Sequence, residues 1–212
     1  RIISKERCTR SSYQEVGGRL MTRSVIQLGG QALKLDADGD TTIQVSSDDV
    51  LIVDTAGNEA LKIDANGHIT KPLQPAFLAN PAAAGASPVQ TNISSGDTIT
   101  FGNEVFDQNN DFASNTFTAP ITGKYQFNVG LFLEQVDTDY SELRIKLVTS
   151  NRNYDHFDIG SPFSSDRNLQ YHLSALADMD ASDTALLQVT FGSGGNQMDV
   201  NALTYFSGYL VC

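Results

Sequence analysis

The sequence predicts an all-β protein in which an antiparallel jelly-roll sandwich follows a short β-repeat stalk, with three copies of the chain assembled together. Three observations predict this fold class. Apolar and polar residues alternate with a period of two through the C-terminal half, as in strands buried on one side. An eight-residue motif recurs after 28 residues. The repeated segment is too small to bury a core of its own, so other copies of the chain must cover it.

Composition and charge exclude several classes of protein. The 212 residues carry 14 basic and 25 acidic side chains, a net charge of −11, whereas phosphate binding needs clustered Lys and Arg. We therefore expect no nucleic-acid partner. No apolar run reaches the roughly 18 residues that a membrane span needs, so we expect no membrane insertion. Cys8 and Cys212 lie near opposite ends of the sequence and form no disulfide framework.

Residues 1–28 are interpreted as an N-terminal arm or a non-native leader. Within them, residues 1–20 hold five basic and two acidic residues, against the acidic balance of the rest, and show no period of 2 or 3.6. We expect the natural chain to begin at Met21, with residues 1–20 translated from upstream sequence. The alternative is a basic arm that docks on an acidic partner.

Residues 29–72 form the predicted β-repeat stalk. The motif ALKLDADG at 32–39 recurs as ALKIDANG at 60–67, with six of eight positions identical. Each copy is a short alternating strand followed by a hairpin turn, Asp38-Gly39 or Asn66-Gly67, whose central residues take positive φ at low cost. We expect an intertwined homotrimer here, and the alternative is a small monomeric β-domain packed on the C-terminal unit.

Carboxylates at alternate positions of the first turn, Asp36, Asp38 and Asp40, could converge on calcium. The twelve-residue calcium loop with its closing Glu is absent, and the second copy carries Asn66 and His68 at the last two of these positions. A solvated turn is the favoured interpretation, so no cofactor is predicted and calcium is kept as a minor alternative. The acidic clusters at 137–139 and 178–183 are a second minor alternative for calcium.

Residues 73–88 are interpreted as a linker with a first strand, because Pro72 and Pro75 lack the backbone N–H that pairing between strands requires. Residues 89–212 form the predicted knob, with alternating strands around 125–133, 143–147, 169–175 and 185–191. The last strand, 202–211, is apolar on both faces, which fits a position in a core or at a subunit interface. The predicted core and trimer-interface residues are Phe117, Tyr125, Phe127, Leu203, Tyr205, Phe206 and Tyr209.

Two motifs of the knob resemble the C1q/TNF-like globular domain. Residues 117–127, FTAPITGKYQF, are similar to that family's Phe-x-Ala-Pro-x-x-Gly-x-Tyr-x-Phe signature, and FSGYL at 206–210 is similar to its closing strand. The resemblance covers about residues 75–212 and implies a ten-stranded jelly roll that assembles as a tight trimer. No collagen-like Gly-X-Y stalk precedes the knob. The repeat segment instead resembles fibre and appendage proteins of tailed bacteriophages, and more loosely the stalks of bacterial surface proteins.

The sequence contains no recognisable catalytic motif. His68, His156 and His172 lack metal-ligand spacing, and no nucleophile elbow, Walker loop or dinucleotide fingerprint occurs. We therefore expect that the protein is not an enzyme. A glycan-hydrolysing spike stays an alternative, because such enzymes use a pair of carboxylates and this sequence is rich in acidic residues.

The predicted function is that of a virion structural protein of a tailed phage, a homotrimeric fibre or decoration appendage on the virion surface. Its N-terminal part would contact other virion proteins, and the knob would bind a host-surface glycan or receptor. The alternative is a secreted C1q-like recognition or signalling module. Ligand contacts are expected in loops 107–116, 134–141, 149–167 and 192–199, because loops carry recognition on a rigid sandwich. The candidate receptor-binding residues are Tyr140, Asn151, Asn153, Tyr154, Phe157 and Asn168.

Overall fold

The structure, a computed structural model, describes residues 31–82, 88–159, 164–192 and 198–212. The described residues form sixteen strands in three sheets and contain no helix. The all-β prediction is therefore confirmed. The expectations for residues 1–28, and for parts of the predicted loops 149–167 and 192–199, lie outside the described residues.

The first sheet, called here the repeat sheet, is a meander with strand order β1-β2-β3-β4-β5. Its strands are β1 (Leu33–Lys34), β2 (Thr42–Ser47), β3 (Val50–Thr55), β4 (Asn58–Ile63) and β5 (Ile69–Thr70). Every neighbouring pair is antiparallel, and the register places most aliphatic side chains of the five strands on one side, with Ile52 on the other. The predicted short strands are thus present and form a single layer.

The two copies of the repeated motif form similar loops, but not the predicted two-residue turns. Gly39 and Gly67 adopt positive φ, whereas Asp38 and Asn66 do not, so the tight turn with two left-handed residues is absent. A carboxylate closes each loop instead. Asp36 accepts hydrogen bonds from the amides of Gly39 and Thr41. In the second copy Asp64 takes the same place and accepts hydrogen bonds from the amides of Asn66 and His68.

The knob consists of two packed sheets. Knob sheet 1 has the order β13-β10-β16-β6-β7, and β15 also pairs with β10. Knob sheet 2 has the order β12-β11-β14-β9-β8. The strands of knob sheet 1 are β6 (Ala76–Asn80), β7 (Asn103–Asp107), β10 (Gly123–Val136), β13 (Arg167–Met179), β15 (Asp199–Val200) and β16 (Tyr205–Leu210). Those of knob sheet 2 are β8 (Phe112–Ala113), β9 (Thr116–Thr118), β11 (Glu142–Thr149), β12 (Asn153–Ile159) and β14 (Thr184–Gly192).

The core lies between the two knob sheets and is centred on aromatic rings. Phe77 of β6 stacks on Phe112 and Phe117 with ring centroids 4.7 and 5.1 Å apart, and meets Phe206 edge to face at 5.0 Å. Phe127 joins the same group. Because rings in these geometries add to the free energy of simple burial, this cluster binds five strands from both sheets into one sandwich.

One sequence expectation about the knob needs correction. The predicted loop 149–167 contains an edge strand, β12, which holds the candidate residues Asn153, Tyr154 and Phe157. The segment 73–88, interpreted as a linker with a first strand, contains the strand β6, which pairs with β16 and β7 in knob sheet 1.

Candidate functional site

The outward side of knob sheet 1 is the candidate functional surface. Along each strand the inward residues, such as Phe127 in β10 and Phe206 in β16, are buried, so the residues between them point away from the core. These outward side chains form what we call the neutral face. Its members are Leu78, Phe106, Gln126, Asn128, Phe132, Gln170, His172, Ser174, Leu176, Tyr205, Ser207 and Tyr209.

The neutral face is the central part of this outward side, and its members include no Asp, Glu, Lys or Arg. The charged residues that point the same way, Lys124, Glu134 and Asp178, lie at the ends of β10 and β13. Its larger apolar side chains are well exposed, with Leu176 at 55 %, Phe106 at 50 % and Tyr209 at 48 %. The outward side of knob sheet 2 differs, because Arg144 and Lys146 project there from β11. A wide uncharged surface with exposed large apolar residues is typical of a protein contact surface rather than of a solvated one.

Neutral hydrogen bonds hold the centre of this face in place. The Gln126 amide donates to the Ser174 hydroxyl at 2.8 Å, and that hydroxyl donates to the Asn128 side chain at 2.9 Å. These bonds tie β13 to β10 across their outward side. These three side chains are therefore already paired with one another within one chain and can be covered without breaking those bonds.

Gly130 of β10 positions the ring of Tyr205 on the neutral face. A Cβ built on Gly130 would lie 2.2 Å from Cε1 of that ring, so only glycine lets the ring lie flat over β10. The tyrosine thus adds a flat aromatic surface to the face instead of projecting from it.

The seven residues predicted as core or trimer interface divide between two places. Phe117, Tyr125, Phe127 and Phe206 are fully buried in the sandwich of one chain. The Tyr125 hydroxyl donates to the carbonyl of Ile121 at 2.7 Å, and burial raises the pKa of this phenol. The other three lie on the outward side of knob sheet 1 or at its edge: Leu203, which is 67 % exposed, Tyr205 and Tyr209.

The six candidate receptor-binding residues do not form one site. Tyr140 is 3 % exposed within the core, so its assignment to a binding loop is wrong for the folded chain. Asn151 donates to the carbonyl of Asp178, near the start of β10, whereas Asn168 accepts from the amide of Gln135 near the end of that strand. These two asparagines therefore lie at opposite ends of the sandwich.

The remaining three candidates lie on β12. Tyr154 points inward and packs against the core. Asn153 and Phe157 share the outward side, and the guanidinium of Arg144 lies 4.7 Å above the ring of Phe157. This cation–π pair went unnoticed in the sequence because its partners come from two strands whose register was unknown.

In the residues that the structure describes, the acidic turn of the first repeat is the one group of carboxylates that converges as metal ligands could, with Asp36, Asp38 and Asp40 all exposed. The two other acidic clusters proposed for calcium are not brought together in this way. Asp178 instead pairs with Arg152 at 2.8 Å, and Asp183 accepts from the amide of Asp180. The carboxylate of Asp36 already closes its own loop, so the turn is explained without a cation.

The Asp36 loop gives a testable titration. Hydrogen bonds from the Thr41 hydroxyl, and then from the Thr41 and Gly39 amides, lower the pKa of Asp36 from 3.8 to about 2. These bonds therefore stabilise the folded loop above pH 3.8, and the contribution is lost as the pH falls through about 2. Desolvation and the nearby Asp36 charge raise the pKa of Asp40. Carbon-detected NMR titration should show Asp40 protonating well before Asp36 on acidification, and coincident titration would contradict this loop geometry.

Comparison with known proteins identifies the knob. A family model described as the C1q domain matches residues 82–211. The globular domain of zebrafish complement 1qA protein is a similar solved structure, at 22% identity and a TM-score of 0.49, covering 66% of this chain and 98% of that chain. No curated protein matches the chain.

The family match agrees with the sequence resemblance and with the jelly-roll sandwich. C1q domains are non-enzymatic recognition domains that typically self-associate as trimers, bind ligands and occur in secreted or extracellular proteins. None of the described segments forms a helix long and apolar enough to cross a membrane. The match spans more than half of the sequence, and this chain belongs to the C1q domain family.

Proposed function

We propose that the chain is a non-enzymatic recognition protein that works as a homotrimer, with the neutral face as the contact between knobs. The observation that carries this proposal is the composition of that face, whose central part carries no formal charge and exposes Leu176, Phe106 and Tyr209, with charged residues only at the strand ends. Covering it with further copies removes this apolar surface from water without desolvating an ionised group.

The proposed setting is the surface of a tailed-phage virion, where the protein would be a fibre or decoration appendage. Its N-terminal part would contact other virion proteins. The β-repeat segment ahead of the knob supports this setting, because it supplies a spacer built from strands. The family's typical extracellular location favours the alternative, a secreted recognition module. Peptide mass spectrometry on purified phage particles tests the proposal, which fails if the chain is found only in particle-free culture medium.

The proposed ligand is a host-surface glycan or receptor bound by exposed parts of the knob. Asn153 and Phe157 are the best-placed candidates, since they share the outward side of β12. Phe157 is 46 % exposed, and the Arg144 guanidinium over its ring adds a donor beside it. A ring next to amide and guanidinium donors can stack on a sugar and bind its hydroxyls. Three such knobs on one axis would add avidity to weak single contacts.

Leu176→Arg tests the neutral face. The substitution places a charge without a partner in the proposed contact, at a cost of about 3–5 kcal/mol if the face is buried. We expect sedimentation velocity to show a folded single chain in place of the trimer. Since Leu176 is exposed in one chain, the far-UV spectrum should not change.

The matched control is Leu186→Arg, which makes the same change on the outward side of β14 in knob sheet 2. This variant is expected to remain trimeric. If both variants keep the wild-type mass, the neutral face is not the contact. If both dissociate, the contact is not specific to that face.

A further inference from the structure

The repeat sheet carries an aliphatic face that nothing in the described chain covers. Cross-strand partners align its side chains in two rows. We call them together the aliphatic face, and its members are Leu33, Ile43, Val53 and Leu61 in one row and Val45, Leu51, Ile63 and Ile69 in the other. Val45 is 56 % and Ile69 is 60 % exposed. A row of four aliphatic residues across a sheet is the pattern of a buried face, yet these side chains meet water in one chain.

The opposite side of the repeat sheet needs no cover. There the Thr42 hydroxyl and the Gln44 amide both donate to one oxygen of Asp54, at 2.8 and 2.9 Å. Lys62 pairs across from Ile52 on the same side, and Ile52 is the one hydrophobic residue of the repeat sheet that is buried. This side therefore already holds the two buried residues of the repeat sheet, Thr42 and Ile52, each 8 % exposed, and the aliphatic face is the side left exposed.

The knob holds the repeat sheet close to itself through a short segment. The side-chain amide of Gln108 donates to the carbonyls of Lys71, Pro72 and Gln74, at 2.8–3.0 Å. Asn109 likewise donates to the carbonyl of Leu73. The end of the repeat sheet is thus fastened to the loop after β7, so copies that meet through their knobs also bring their repeat sheets together.

The aliphatic face and the neutral face meet at this junction. An open cleft between the two units is lined by Ile69, which belongs to the aliphatic face, and by Tyr209, which belongs to the neutral face. The ends of the two uncovered surfaces therefore lie close to each other at this cleft. A partner that covers one of them is in position to cover the other.

We propose that the aliphatic face packs against the same face of two other copies, so that three repeat sheets enclose a closed core on the axis of the knob trimer. This inference rests on the proposed homotrimer. A second and a third copy suit this face because it is uncharged, and its aliphatic side chains can pack against the same side chains of another copy. A charged partner would have to strip water from its charged groups to pack there. The repeat segment then contributes to assembly as well as to spacing.

The test uses the full chain with Cys8→Ser and Cys212→Ser, into which Val45→Cys is introduced and labelled with pyrene. Because pyrene excimers form only between stacked rings, labels on the aliphatic face should give excimer emission from the trimer. Co-refolding with excess unlabelled chain should abolish that emission. The control, Ser47→Cys, places the label on the opposite side of the sheet, because Ser47 pairs with Val50, the neighbour of Leu51, and it should give monomer emission only.

The outcomes separate this inference from the proposed function. A three-chain mass without excimers from Val45→Cys, or with equal excimers from Ser47→Cys, overturns the inference and leaves the knob trimer in place. Excimers from a two-chain species overturn the three-sheet arrangement. A single-chain mass overturns both the inference and the proposed homotrimer.

A second measurement avoids the bulky label. Val45→Asp puts a carboxylate into the proposed core and should speed amide hydrogen exchange in β2–β4 at least about tenfold, with the knob unaffected. Ser47→Asp introduces the same carboxylate at an exposed position on the opposite side and should leave exchange at its wild-type rate. Unchanged exchange in Val45→Asp, as expected if water alone meets this face, would overturn the inference.

Discussion

Replacing Phe77 with alanine is expected to lower the free energy of unfolding by about 3–5 kcal/mol, the largest loss we predict for a single truncation. The ring is 1 % exposed and contacts four other phenylalanines, which come from both knob sheets. Its removal leaves a cavity in a densely packed cluster, because the surrounding strands are fixed by their ladders. Urea unfolding followed by far-UV circular dichroism measures this loss, at one fixed chain concentration since assembly also adds stability.

Phe157→Ala is the matched control for this truncation. It removes the same atoms from a ring that is 46 % exposed on β12 and contacts Arg144, so its cost should stay below about 1 kcal/mol. Equal losses for the two variants would show that the Phe77 cluster is not the centre of the core.

Gly208→Ala is expected to destabilise the knob by about 1–3 kcal/mol or more, although it adds only one methyl group. A Cβ at this position of β16 would lie 2.6 Å from Cδ1 of Phe127 and 2.7 Å from Cε1 of Phe77. Both rings are buried and must shift together. The cause is space rather than backbone conformation, because Gly208 does not adopt positive φ.

A double variant separates these causes. Phe127→Leu shortens the side chain that the new methyl group meets, so Gly208→Ala should cost less in that background than in the wild type. Ser207→Ala, one residue earlier and on the outward side, should change the unfolding free energy by no more than about 0.5 kcal/mol. Full additivity of Gly208→Ala and Phe127→Leu would contradict the close packing of β16 on the core.

The sequence was most informative where one face of a strand is apolar throughout. The alternation around 125–133 predicts β10, and the same pattern predicts β11, β13 and β14. Strand β12 escaped prediction because both of its faces are polar. Its inward His156 and Asp158 meet Tyr171 of β13 at the edge of the sandwich, where the Tyr171 hydroxyl donates to Asp158 at 2.9 Å. Hydrophobic periodicity cannot mark a strand whose inward partners are polar.

Tyr140 shows why the candidate site was predicted less well than the fold. It follows Asp137, Thr138 and Asp139, a composition typical of an exposed loop. The chain turns back at once, with the amide of Ser141 bonded to the carbonyl of Gly192, and this pairing carries the tyrosine ring into the core. Contacts between residues so far apart in sequence are set by register, which local composition does not contain.

The two uncovered faces have a common physical explanation. In one chain the aliphatic face and the neutral face expose large apolar side chains, such as Val45 and Leu176, whereas the sides opposite them are either polar or packed as core. Each pattern is unusual for an isolated domain, and both are explained by assembly around one axis.

The native mass of the full chain tests this account most directly. Native mass spectrometry and analytical ultracentrifugation across a dilution series down to micromolar concentration should show a species of three chain masses that persists on dilution. A well-folded single chain at that concentration, with no tendency to associate, would contradict the account, because both uncovered faces would then be stable in water.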